Sequence, residues 1–387
     1  MVRKALVVEL TYKHTHVIYP QCALLLEQGF EVTLLFSTNA LDPELIYSLQ
    51  DRVHLVEFSQ TERWRDLFTM WRNHAFQDYE FVIFNTLEKN ARHLLFAVLF
   101  SQPIHFILHF ADPVGEIVRE HLNFEQGLLY RILARRAKRI YVLSERILSH
   151  SQPQQPQRLR SKMTYFHPAF FPGFAEPALP PLSDDGRIVF AVPGKALANL
   201  RDYASLCAAL PRLVESSLAD RIQINIMGEF WTPAGRDLVV QASQLGLLGS
   251  TIQLQRHPYL PFDAYAQRLN AAHFILPLID DKTINIIYYN KCVAPSALMI
   301  SRGFWIPLVS STDFDLDQDL VPFAVQYEGD NLFDGLKKAV ALYDSPQYAT
   351  MRTRYREHMH AHLAESAANL AGLHQPTPVT ANKETPV

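Results

Sequence analysis

The chain alternates short apolar runs with longer stretches of helical period. Lys4–Leu10 is short, aliphatic and rich in β-branched residues, the pattern of a strand buried on both faces. A polar loop, Thr11 to His16, follows it. Ile18–Gln28 then has helical periodicity and stops at Gly29, and Phe30–Phe36 reads as a second buried strand. The pattern continues with strands at Arg52–Phe58, Glu80–Asn85, Pro103–His109 and Arg139–Leu143, and helices at Asn90–Phe100 and Phe124–Arg136. Strand–helix–strand units connect right-handedly and build a parallel sheet. The first half is therefore expected to be one doubly wound domain.

The glutamine- and proline-rich stretch Ser151–Gln157 reads as a surface loop, and Met163–His167 as a short strand. Pro168–Gly186 is proline-rich and marks a change of domain. The alternation then restarts. Strands are expected at Arg187–Val192, Gln223–Met227, Thr251–Arg256, His273–Pro277 and Trp305–Ser310. Helices are expected at Leu200–Leu213, Gly235–Leu245, Phe262–Asn270 and Ser296–Arg302. Pro346–Leu370 forms one long polar helical pattern. The boundaries that follow are an N-terminal acceptor-side domain over 1–172, a linker over 173–186, and a C-terminal donor-side domain over 187–345. A helix over 346–372 packs back on the first domain, and a disordered tail occupies 373–387.

Composition narrows the function classes. The chain has 387 residues, enough for two domains that bury their own cores, and a formal net charge of −3. Nothing global points to nucleic acid. Cys22, Cys207 and Cys292 lie far apart, which excludes a disulfide framework or a Cys-x-x-Cys metal site and fits a reducing compartment. The apolar N-terminal run is interrupted by Glu9 and lacks a cleavage site, and no run is long enough to span a membrane. The expected location is the cytoplasm. Arg131, Arg135, Arg136, Lys138 and Arg139 crowd one amphipathic stretch that suits peripheral contact with anionic lipid on the inner face of the membrane. Walker A, G-x-G-x-x-G and G-x-S-x-G patterns do not occur, which sets aside P-loop NTPases, dinucleotide oxidoreductases and serine hydrolases.

Several stretches together carry a resemblance. Ala137–Glu145 has the form of a strand ending in Ser-Glu. Phe166-His167-Pro168 leads into the linker. Pro193-Gly194-Lys195 is followed by Arg201, Met227-Gly228-Glu229 ends a strand, Gln253–Tyr259 precedes Pro261-Phe262, and Ser296–Arg302 runs into Gly303–Val309. In this combination the chain resembles GT-B glycosyltransferases, nearest the retaining bacterial group called family 4, over most of residues 1–345. The resemblance implies two Rossmann-like domains facing across a cleft, with a nucleotide-sugar donor held by the C-terminal domain. It implies a glycan or lipid-linked acceptor, and no metal or other cofactor. One departure is plain: the family's E-x7-E glutamates are missing, with Asn290-Lys291 and Leu298 in that stretch and no glutamate between Glu229 and Glu328.

Glycosyl transfer needs positive charge or oriented N–H groups at the leaving diphosphate. Gly194 and Lys195 follow a strand, where glycine lets backbone approach a phosphate, and Arg201 sits near the start of the next helix, where the dipole favours anions. Gly228 ends the next strand. Lys291 and Ser296 flank another helix start, which Ser296 is expected to cap. Asp280 sits at a strand end, placed to line the donor sugar. These residues are the candidate donor site. His16, after the first strand, is the candidate catalytic base, ahead of His14 and His109. Asp315-Leu316-Asp317 matches the metal-diphosphate pattern of the other glycosyltransferase fold, but reads more simply as a solvated loop. The helical His358, His360 and His362 lack a third zinc ligand. The rival readings are an inactive GT-B relative that scaffolds glycosylation and a nucleotide-sugar 2-epimerase of the same fold.

Overall fold

A computed structural model describes residues 2–11, 14–38, 43–58, 68–69, 71–72, 78–86, 91–111, 124–169, 186–255, 260–283 and 286–372. The chain forms two compact units. The first comprises Met1–Pro168, Lys291–Val293 and His362–Val387, and the second Ala169–Asn290 and Ala294–Ala361.

In the first unit seven strands are all parallel: β1 (Arg3–Glu9), β2 (Phe30–Ser37), β3 (His54–Phe58), β4 (Phe81–Phe84), β5 (Ile104–Leu108), β6 (Ala137–Val142) and β7 (Met163–Tyr165). Their spatial order is β3-β2-β1-β4-β5-β6-β7. Ala5 through Val8 are fully buried in the central strand, as expected where helices cover both faces. The order reverses between β1 and β4, so the crevice at their carboxyl ends is where ligands of such sheets bind.

The second unit repeats the plan with six parallel strands: β8 (Ile188–Val192), β9 (Ile222–Ile226), β10 (Ile252–Leu254), β11 (Phe274–Ile275), β12 (Leu308–Ser311) and β13 (Ala324–Tyr327), in the order β10-β9-β8-β11-β12-β13. Its reversal lies between β8 and β11. Ile188, Phe190 and Val192 pack with Leu206, Leu210 and Leu213 of the helix Tyr203–Glu215 in one buried cluster.

The strands and helices read from periodicity are present, within a few residues at their ends. The helix Phe124–Arg136 matches at both ends. The reading leaves out the helices Pro43–Tyr47, Gln157–Arg160, Ile286–Lys291 and Leu332–Tyr343 and the edge strand β13, although Leu332, Leu336, Ala339 and Val340 give Leu332–Tyr343 a buried face at helical spacing. Ser144 was expected to close a strand. Instead its side chain accepts from the Ile147 N–H and starts a short helix, Glu145–Ser151. The glutamine-rich stretch after it contains one 3-10 turn, Gln152–Gln154.

The long helix is Gln347–Leu370. Its first part is tied to the second unit, where the Tyr348 hydroxyl donates to the His273 carbonyl at 3.0 Å and Tyr355 and Ser301 share a bond at 2.7 Å. Its last part belongs to the first unit. There the Tyr141 hydroxyl donates to the Leu370 carbonyl at 2.9 Å, and the His167 N–H to Ser366 Oγ at 3.1 Å. The expected linker over 173–186 lies outside the described residues except for Gly186, as do the tail over 373–387 and residues 256–259 of the stretch Gln253–Tyr259.

Candidate functional site

The second unit gathers four of the candidate residues at the end of β8. Gly194 follows that strand with φ +86°, a conformation that L side chains rarely adopt. A Cβ there would collide with the Arg201 guanidinium. Gly228, after β9, faces the Gly194 carbonyl so closely that a Cβ would overlap backbone. Two glycines thus let two loops and one arginine occupy a single small volume. The loops are also bonded together: the Ala196 N–H donates to the Glu229 carbonyl at 2.9 Å, and the Thr232 hydroxyl to the Ala196 carbonyl. Thr232 caps the helix Pro233–Gln244.

Arg201 is 6% exposed. Its Nη1 donates to the Pro277 carbonyl at 3.3 Å, and its Nε has no hydrogen-bond partner. Among the described residues no carboxylate forms a salt bridge with it. A buried guanidinium with an unused donor is costly unless an anion completes it. Lys195 is half exposed and pairs with Glu229 at 3.0 Å. Such a surface pair contributes only about 0–1 kcal/mol and exchanges readily for a better anion. Trp231, beside this loop, is 65% exposed.

Asp280 lies after β11, across the reversal from Gly194. It is buried, and its carboxyl accepts from the Lys282 N–H at 3.1 Å. Burial pushes its pKa up to about 7, and its neighbour Asp202 pushes the same way. Burial opposes ionisation of Asp202 as well, but bonds from Asp280 and Ser205 outweigh it and hold that pKa below the ordinary value. Asp202 is the N-cap of the helix that follows Arg201. The sequence reading missed it, although Asp three residues before Ser205 at a helix start is a legible capping signal.

Ser296 is the first residue of the helix Ser296–Phe304 rather than its cap. Pro295 holds the cap position, where φ −63° suits its ring, and supplies no side-chain bond. Lys291 is exposed at the end of Ile286–Lys291 and belongs to the first unit, where the Ala111 N–H donates to the neighbouring Cys292 carbonyl at 3.1 Å. The Asp315–Asp319 loop is only partly a solvated surface: the fully buried Arg302 bonds Asp317 at 2.6 Å and Asp319 at 2.8 Å. Those two carboxylates anchor the helix Ser296–Phe304.

The first unit has its own polar network at its reversal. Glu9, at the end of β1, is fully buried and accepts from Thr11 N and Oγ1, from Thr86 Oγ1 and from Asn85 Nδ2. Burial raises its pKa to about 7 against those four bonds. Gln21 Nε2 donates to Asn85 Oδ1, and Gln21 Oε1 is buried without a partner. His109 Nε2 lies 2.8 Å from the Asn85 carbonyl. A carbonyl only accepts, so Nε2 carries the proton and Nδ1 the lone pair. Burial holds His109 neutral, and His14 and His16 add to that by their charge. The His14 ring stacks on His109 at 3.8 Å and meets His16 edge-on at 6.0 Å. His16 is half-buried there. In the basic stretch, Arg131, Arg135, Arg136 and Lys138 are exposed, but Arg136 is committed to the Val98 and Phe100 carbonyls. Among the described residues, no helix is long and apolar enough to cross a membrane.

No family profile and no curated sequence matches the chain. Solved structures match it over nearly its whole length. A glycosyltransferase from Rickettsia africae aligns with TM-score 0.62 at 10% identity, covering 96% of each chain. Anabaena HepE, in complex with UDP and glucose, aligns with TM-score 0.59 at 11% identity over 96% of this chain and 99% of its own. The fold is GT-B. A candidate UDP-N-acetylglucosamine 2-epimerase from Listeria monocytogenes shares it, with TM-score 0.58 at 11% identity over 97% and 99%. Within the GT-B plan of the second unit, Gly194, Lys195, Arg201 and Gly228 stand at the carboxyl ends of the strands beside the reversal.

Proposed function

We propose that the chain is a metal-independent glycosyltransferase that moves a sugar from a nucleotide-sugar donor to a glycan or lipid-linked acceptor. The observation that carries this reading is Arg201: a buried guanidinium with an orphaned donor, pressed against a left-handed glycine at a strand end. A diphosphate supplies the missing negative charge. Lys195 exchanges Glu229 for a phosphate oxygen, and the two cations neutralise the charge that grows on the leaving nucleoside diphosphate. That does the work for which other transferases use a metal.

We assign the acceptor to the first unit, with His16 as the base that takes the proton of its hydroxyl. Ser296 and Gly228 complete the donor-side set. The work is cytoplasmic in this reading, with the exposed basic stretch at Arg131–Lys138 available to a membrane surface. The missing E-x7-E glutamates favour the rival reading, an inactive relative that binds without turnover, and the shared fold of the epimerase keeps that activity as a further outcome.

The test is calorimetric titration of the full chain with UDP, GDP, dTDP and their sugar conjugates in chelator, beside Lys195→Ala and Arg201→Ala. One nucleotide should bind, weakened at least tenfold by Arg201→Ala and less by Lys195→Ala. A folded protein that binds none of them overturns the donor site. Binding without transfer or epimerisation on a panel of acceptors favours the scaffold.

A further inference from the structure

Two carboxyl groups meet under the anion loop, and their hydrogen bonds assign a proton. Asp202 Oδ1 accepts from the Ser205 N–H at 3.0 Å, and Asp202 Oδ2 from the Ser205 hydroxyl. That hydroxyl has one hydrogen, and Asp202 takes it. Asp280 Oδ1 is already served by the Lys282 N–H at 3.1 Å and Thr283 Oγ1 at 3.5 Å. Asp280 Oδ2 lies 3.4 Å from the same Ser205 Oγ, whose hydrogen is spent. With that hydrogen given to Asp202, a proton on Asp280 Oδ2 makes the contact a bond that Asp280 donates to Ser205. The chain is then Asp280 O–H to Ser205 O–H to the Asp202 carboxylate. Both carboxyls are nearly inaccessible, at 6% and 1% exposure, and two buried carboxylates this close do not both ionise.

The pair spans the reversal between β8 and β11. Asp202 directly follows Arg201, and its N–H donates to the Leu278 carbonyl at 2.7 Å. Arg201 reaches the adjacent Pro277 carbonyl. Leu278 holds φ +52°, unusual for a branched side chain and sustained only by its surroundings. The Arg201 turn and the strand end are therefore joined by two backbone-carbonyl bonds and one proton-bearing side-chain chain.

We propose that Asp280 is a positioning residue: its proton, relayed through Ser205 to Asp202, holds the Arg201 turn, so that losing the proton weakens diphosphate binding at Arg201. This rests on the donor reading of that site. The step is a simple ionisation. The proton leaves for solvent, a second negative charge remains beside Asp202, and no bond other than O–H breaks. The added charge repels both Asp202 and a bound diphosphate.

The other charged and titratable neighbours do not supply this change. On the helix side they are Arg201 and Cys207, whose thiol burial pushes up to about 11. On the same loop are Asp281 and Lys282, the latter paired with Asp330. From β13 comes Tyr327, which burial and the surrounding carboxylates, including Asp313, keep protonated.

The experiment uses the full chain and UDP-glucose, whose diphosphate diester loses no proton near neutrality, titrated calorimetrically at intervals from pH 6 to 9. Wild-type affinity should fall roughly tenfold across that range, the scale set by one added charge near the ligand. Asp280→Asn keeps a donor toward Ser205 and removes the ionisable proton, so its affinity, whatever its level, should not change with pH. A flat wild-type profile, or the same fall in both proteins, overturns the proposal. Thermal midpoints without ligand read the proton separately. The wild type should lose stability relative to Asp280→Asn as pH rises from 5 to 8, and parallel midpoints overturn the shared proton. Absence of binding by UDP-glucose and by the GDP and dTDP sugars at every pH overturns the donor reading and the coupling with it, whereas binding that is insensitive to pH overturns the coupling alone.

Discussion

Gly194 and Arg201 occupy one volume: the guanidinium lies where the β-carbon of any other residue at position 194 would stand. The strand end, the left-handed turn and the buried cation are therefore a single feature. Gly194→Ala must adopt an unfavourable φ and displace Arg201. It should cost about 1–2 kcal/mol for the left-handed backbone alone and weaken diphosphate binding nearly as much as Arg201→Ala. Urea unfolding and calorimetry read the two effects, and an alanine variant with intact affinity refutes the relationship.

Arg302 carries a separate expectation. It is fully buried between Asp317 and Asp319, and truncating one partner of a buried pair leaves charge without compensation. Arg302→Ala should lose about 3–5 kcal/mol. The same geometry predicts that manganese added to the wild type produces no binding heat attributable to the Asp315–Asp319 loop. A metal-dependent shift abolished by Asp317→Asn would contradict it.

Glu9 makes stability depend on pH. Its folded pKa is raised to about 7, so the folded chain keeps a proton that the unfolded chain releases at lower pH. Stability is then greatest below the unfolded pKa and falls as pH rises toward 7, levelling above it. Relative to Glu9→Gln, the wild type should lose up to about 3 kcal/mol between pH 4.5 and pH 8. Unfolding free energies of the two proteins at both pH values test this. A constant difference would show that the four donors keep Glu9 ionised throughout.

His109 should stay neutral. Its Nε2–H is fixed by the Asn85 carbonyl and its ring is buried against His14. Nitrogen-15 spectra should show the Nε2–H tautomer with no titration between pH 5 and 8. A midpoint near 6.5 would overturn both the tautomer and the burial argument.

Much of the fold was legible before any coordinates. Periods of two kinds separate strand from helix because a parallel strand must be apolar on both faces whereas a surface helix needs one apolar stripe. Two of the unread elements fail for the same reason. Ile286–Lys291 exposes Ile287 and Tyr288, so its apolar residues do not mark a buried face. β13 is an edge strand with a half-buried pattern. At the site, Gly194, Lys195 and Arg201 were readable as a glycine turn and nearby cations, since local backbone requirements are written in local sequence.

What the chain order alone determined is the alternation, the two sheets and the residues that reach the strand ends. Tertiary structure decided which groups meet. Asp202 and Asp280 are separated by three strands, as are Glu9 and Asn85, yet each pair spans a point where the strand order reverses. Burial then sets their proton affinities. No local pattern encodes that outcome, because desolvation and charge coupling depend on which distant segments exclude water together.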